Sequence, residues 1–180
     1  SVGSGLRIWA AMPQQEDAPT PSSYIPTNGS AVTRAADVMT QPAGTLPWPT
    51  GNALTIGMSG EANGDAFDLI SWQDDASNYL SHSINTTDLT FEQSASGVVD
   101  SVTGGAFSGP FTYCSTHAST FVAAAVNGTA LATNTTPTEL PDLSATEVDL
   151  LPKFNGTVKW ITYWDKDIGS TGRLEGSSNG

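Results

Sequence analysis

Phe121-Val122-Ala123-Ala124-Ala125-Val126-Asn127-Gly128-Thr129-Ala130-Leu131-Ala132-Thr133 is two short apolar runs joined by an Asn-Gly pair. A two-residue hairpin turn that matches the twist of its strands needs positive φ at both central positions, which Asn and Gly tolerate. The stretch therefore predicts an antiparallel hairpin with strands over 120–126 and 130–133. On either side the same grammar repeats: short apolar or alternating runs at 53–58, 66–72, 79–84, 89–91, 97–102, 111–114, 147–151 and 157–164, each bounded by turn residues. About ten strands at this spacing describe an all-β fold of two packed antiparallel sheets. In the last run, strict alternation puts Val158, Trp160 and Thr162 on one face and Lys159, Ile161 and Tyr163 on the other.

Composition agrees. The 180 residues include 18 Gly and 11 Pro, and helix-feeding runs of Leu, Glu, Lys and Ala are missing. Six basic residues against 18 acidic ones give a net charge of −12. Arg7, Arg34, Lys153, Lys159, Lys166 and Arg173 are scattered, so neither a nucleic-acid backbone nor an anionic membrane surface is an expected partner. No run approaches a membrane span. The chain opens at Ser1 with no basic and apolar leader, as a processed product or part of something longer would.

Residues 1–50 read as an extended arm. Pro13, Pro19, Pro21 and Pro26 forbid helix interior and central strand, and Pro42, Pro47 and Pro49 separate the arm from a sandwich at 51–169. Prolines favour polyproline-like extension, so 19–26 can serve as a semi-rigid strap with Tyr24 and Ile25 as apolar pegs, or as a mobile tail. Residues 170–180 are small and polar and are expected to form a flexible tail.

Ser22-Ser23-Tyr24-Ile25-Pro26-Thr27-Asn28-Gly29-Ser30-Ala31-Val32-Thr33-Arg34-Ala35-Ala36-Asp37 resembles a linker that recurs in tailed-bacteriophage virion structural proteins, where it joins one jelly-roll module to the next. Leu6–Ala11 with Gln14-Gln15-Glu16 looks like the closing strand of a preceding module, interrupted here by Met12-Pro13. Phe121–Gly128 and Phe154–Trp164 resemble the corresponding strands of the concanavalin A-like, laminin-G-like sandwich often attached to that linker. The resemblance implies a jelly-roll sandwich on the virion surface, as a head fibre, decoration protein or tail-fibre module. Its partners would be other virion proteins, copies of itself and host glycans. A carbohydrate-binding module of a secreted bacterial enzyme is the alternative.

The candidate ligand site is the turn between the runs at 66–72 and 79–84: Trp72, Asp74, Asp75, Asn78 and Tyr79. Aromatic faces can cover a sugar ring while carboxylates and amides accept its hydroxyls. A core role for Trp72 competes with that reading. No cofactor is required, although Asp74, Asp75 and Asn78, or Asp65 and Asp68, have the oxygen donors that calcium takes. Catalysis is not expected. Glu147-Val148-Asp149 sets two acids on one face, but Leu150, Leu151 and Pro152 stand where a glycoside hydrolase strand would continue. Cys114, the single cysteine, and His117 are three residues apart on a strand, which places them on opposite faces. Asn28, Asn85, Asn127, Asn134 and Asn155 head Asn-X-Ser/Thr triplets, as chance produces in a chain this rich in Asn and Thr.

Overall fold

The computed structural model describes residues 39–49, 51–63, 66–85, 88–106, 109–137, 139–152 and 154–178. The linker at 22–37 and the strap at 19–26 lie outside them. In chain order the strands are β1 (Met39–Gln41), β2 (Ala53–Ala62), β3 (Ala66–Asp75), β4 (Asn78–Asn85), β5 (Asp88–Ala95), β6 (Val98–Gly104), β7 (Pro110–Ala118), β8 (Val122–Val126), β9 (Thr129–Ala130), β10 (Val148–Leu150) and β11 (Gly156–Trp164). They form two sheets, ordered β1-β10-β3-β4-β5-β6 and β11-β2-β7-β8-β9, and every pairing is antiparallel.

Alternation decides what each sheet contributes to the core. Leu54, Ile56 and Met58 of β2, Leu80 and Ile84 of β4, Leu89 and Phe91 of β5, Phe111 and Tyr113 of β7, and Val122 and Val126 of β8 are all buried between the sheets. These strands carry the β-branched and aromatic residues that suit a pleated, half-buried surface. The hairpin read from Asn127-Gly128 forms as expected: φ is 48° at Asn127 and 74° at Gly128, and Val126 pairs with Thr129. Asn127 also accepts the Thr112 N–H at 2.8 Å through its Oδ1, which ties the turn to β7.

Four details differ from the sequence reading. The arm does not extend to residue 50, because β1 pairs with β10 and Trp48 packs edge-on against Trp72 at 5.2 Å. A three-residue strand is too short to show periodicity, and the prolines around it carry a stronger signal. The strand expected at 130–133 shrinks to Thr129–Ala130. Residues 170–178 are not a flexible tail: Gly169–Ser178 is a helix, α1, lying on the outer face of the five-stranded sheet. Finally, the alternation of β11 breaks at a β-bulge. Val158 pairs with Gly60, Trp160 pairs with Ser59, and Lys159 is the extra residue. Val158 therefore packs inward with Ile161 and Tyr163, while Trp160, Thr162 and Trp164 face outward.

Candidate functional site

The structure divides the five residues of the expected site between two faces of one sheet. Trp72 lies cross-strand from Leu80 and points into the core at 2% exposure, where its indole N–H donates to the Leu143 carbonyl at 3.0 Å. Tyr79, one residue from Leu80, points the other way. Burial and the hydrogen-bonded carboxylate of Glu92 raise its hydroxyl above the ordinary tyrosine range. Trp72 and Tyr79 cannot flank one ligand. Asp75 and Asn78 do meet, as parts of the turn itself: Asp75 Oδ1 accepts the N–H groups of Ser77 (2.7 Å) and Asn78 (2.9 Å) and the Asn78 amide (3.2 Å). Asn78 Oδ1 in turn accepts the Ser96 N–H at 3.0 Å. Asp74 is exposed at a second bulge. Among the described residues no group of three His, Cys, Asp or Glu side chains is placed to hold a metal ion, and Asp65 lies outside them. Glu147 and Asp149 are exposed to solvent.

The outer face of the five-stranded sheet is better furnished. There β2 shows Thr55, Gly57 and Ser59, β7 shows Thr112, Cys114 and Thr116, and β11 shows Trp160, Thr162 and Trp164. Both indoles are half-buried and converge on Gly57. A Cβ there would stand 3.0 Å from Trp160, 3.2 Å from Trp164 and 3.0 Å from Cys114 Sγ. Beside them is a cavity of about 300 Å³ lined by Ser59, Thr112, Asn127, Lys159, Ser177 and Ser178, with Gly60, Pro110 and Phe111. Ser59 and Thr112 share a hydroxyl hydrogen bond of 2.9 Å on its floor, at 1% and 5% exposure. Lys159, Asn127 and Ser178 stand exposed at the rim.

One wall of this groove is β11 and the other is α1. Asp167 accepts the Gly169 N–H at 2.8 Å as the helix begins and meets Arg173 at 2.6 Å. Arg173 also donates to Thr116 Oγ1 at 3.1 Å and lies 5.8 Å over the Phe121 ring. At the far end, the Gly128 N–H donates to the Ser177 carbonyl at 3.1 Å. Beneath the helix, Cys114 is buried, and burial pushes its thiol up to about 11 against the opposing pull of Arg173. His117 is on the other face of β7, in the core, as the odd spacing requires.

Sequence reading missed the groove because its parts come from β2, β7, β11 and α1, which are distant in the chain. The one local signal was the indole pair at Trp160 and Trp164, four residues apart on a strand. Strict alternation also put Trp160 on one face with Val158, which packs inward.

No family model and no curated protein matches the chain. Solved structures do. The CBM40 domain of the Ruminococcus gnavus IT-sialidase, bound to α2,3-sialyllactose, superposes with a TM-score of 0.57 at 11% identity, over 78% of this chain and 95% of its own. Domains LG4-5 of the mouse laminin α1 chain give 0.58 at 12% identity, over 70% of this chain and 38% of theirs. The NanB sialidase of Streptococcus pneumoniae gives 0.56 at 15% identity, over 72% and 24%. A receptor binding domain is matched over 67% of this chain but only 33% of its own length, and the structure of HCR/D-Sa-GBL1/C over 67% and 34%. The fold is a jelly-roll, concanavalin A-like sandwich. At these identities the likeness concerns the fold.

Proposed function

We propose that this chain is a non-catalytic glycan-binding module on the surface of a tailed-phage particle, with the groove on the five-stranded sheet as its contact surface. The observation that carries the binding reading is the pairing of two half-buried indoles with a recessed pocket of hydroxyl, amide and ammonium groups. Indole faces cover the apolar side of a sugar ring, and Lys159 and Asn127 offer donors to its oxygens. Among the described residues lining the pocket there is no carboxylate, imidazole or thiol to act as acid, base or nucleophile. That the CBM40 domain of similar fold is bound to a sialylated sugar supports the same reading.

The virion placement rests on the resemblance of residues 22–37 to the phage linker. Weak single sites suit such a particle, since many copies multiply attachment. Two measurements test the proposal. On an array holding lactose, N-acetyllactosamine and the tetramer of β-1,4-linked N-acetylglucosamine, the parent protein binds and Trp160→Ala and Trp164→Ala lose at least tenfold, while Asp75→Ala keeps parental binding. Antibody against the sandwich labels intact particles. Binding without particle labelling would favour the module of a secreted enzyme, for which the match over 95% of a CBM40 domain is the supporting observation.

A further inference from the structure

Ser59 and Thr112, the floor of the groove, are only 1% and 5% exposed while α1 is docked, so a ligand touching them needs more room than the closed groove gives. The wall on the helix side is the one built to yield. Its sequence, Gly169-Ser170-Thr171-Gly172-Arg173-Leu174-Glu175-Gly176-Ser177-Ser178, holds three glycines and four hydroxyl residues in ten, all poor helix formers. A helix this short is marginal in water even with good residues. Tertiary contacts hold it, and those made by Arg173 and Ser177 are polar or cation–π: the Arg173–Asp167 pair, the Arg173–Thr116 bond, the cation over Phe121 and the Gly128–Ser177 bond. Of its side chains, only Ser177 is fully buried.

The surface beneath it is small-featured. Gly57, Cys114, Ala123 and Ala125 share that face, and Gly176 approaches so closely that a Cβ there would come within 2.6 Å of Cys114 Sγ. The side chains that meet the helix here are small. β11, by contrast, is hydrogen-bonded along β2.

We infer that α1 is a hinged wall of the groove: it lifts from the sheet to admit a glycan to the Ser59–Thr112 floor and closes on it through Ser177 and Ser178. The inference rests on the glycan reading of the groove for its ligand, and on the helix contacts alone for its motion. Cys114 is a built-in reporter, since its thiol is covered while α1 is docked and becomes accessible only when the helix lifts.

The test is the rate at which a disulfide-exchange reagent labels Cys114 in the folded protein. In the parent, labelling proceeds faster than global unfolding, whose rate is measured by dilution into denaturant and extrapolated to water. Arg173→Met, which removes the bond to Thr116, the cation over Phe121 and the pair with Asp167, labels at least tenfold faster with an unchanged β-sheet circular dichroism spectrum. Gly176→Ala, which drives a methyl against the thiol, does the same. Saturating tetramer of β-1,4-linked N-acetylglucosamine slows the parent's labelling several-fold. Labelling that tracks global unfolding in the parent and is unchanged in Arg173→Met would overturn the hinged wall. Acceleration in the variants, with no slowing by this tetramer, lactose or N-acetyllactosamine, would keep the moving wall and overturn its glycan.

Discussion

His82 and His117 stack 5.1 Å apart at the centre of the core, and their Nε2 atoms are joined by a 2.9 Å hydrogen bond that one proton must serve. His117 Nδ1 has no partner among the described residues. The arrangement that leaves no buried donor unmet puts the His117 proton on Nε2, which donates to His82 Nε2 as the Ser115 hydroxyl also does. His82 Nδ1–H then donates to Tyr113, whose hydroxyl donates to Met58 Sδ. An extra proton on His117 Nδ1 would have no acceptor among the described residues. Burial lowers both imidazoles, His117 to about 3 and His82 well below the ordinary range, with the neighbouring His117 adding to the effect on His82. Both are neutral when folded, and the unfolded chain takes up protons near pH 6.5. Stability is therefore full above about pH 6.5 and is lost as pH falls toward 3. We expect His117 alone to cost about 3 kcal/mol between pH 7 and pH 4, read from urea midpoints at the two pH values. His117→Gln should flatten that slope, and an equal slope in the variant would place the proton uptake elsewhere. At Gly57 the space between two indoles and a thiol is already filled, so Gly57→Ala should cost about 1–3 kcal/mol in thermal unfolding and shift tryptophan fluorescence.

Individual elements show where local sequence was enough and where it was not. The β8–β9 hairpin was legible because its two requirements, positive φ and a tight turn, fall on adjacent residues. Asn127→Ala should weaken it by about 1–2 kcal/mol, since it strains a positive φ and leaves the Thr112 N–H without its acceptor. A calorimetric scan of the variant decides the matter. β11 was legible as a strand but not as a set of faces, because a bulge is one residue of register that only the partner strand reveals. β1 and the Trp48 segment were read as arm, although Trp48 covers the edge of Trp72 and Tyr163 donates to the Pro47 carbonyl at 2.7 Å. Trp48→Ala should therefore lower the unfolding free energy by about 2–3 kcal/mol, as loss of a half-buried aromatic contact does, whereas a Trp48 free of the sandwich would leave it unchanged.

For the whole molecule, a net charge of −12 sets the field through which any ligand approaches. Sialylated glycans should associate more slowly than their neutral counterparts at low ionic strength, and the gap should close as salt rises toward about 1 M, where screening reaches about 3 Å. Surface plasmon resonance at two salt concentrations measures it, and equal on-rates at low salt would show that Lys159 dominates the local field. By itself the sequence determined the class of fold, the number and approximate place of the strands, and the hairpin. All of these depend on alternation, turn chemistry or composition, which are local or additive. Only the tertiary structure decided that Trp72 is core while Tyr79 is surface, that Trp160 and Trp164 face outward, and that the last ten described residues are helical. Each of those follows from a pairing between residues far apart in the chain: a bulge opposite Ser59, a carbonyl at Leu143, and a sheet of small side chains on which a sequence with little helix propensity can lie.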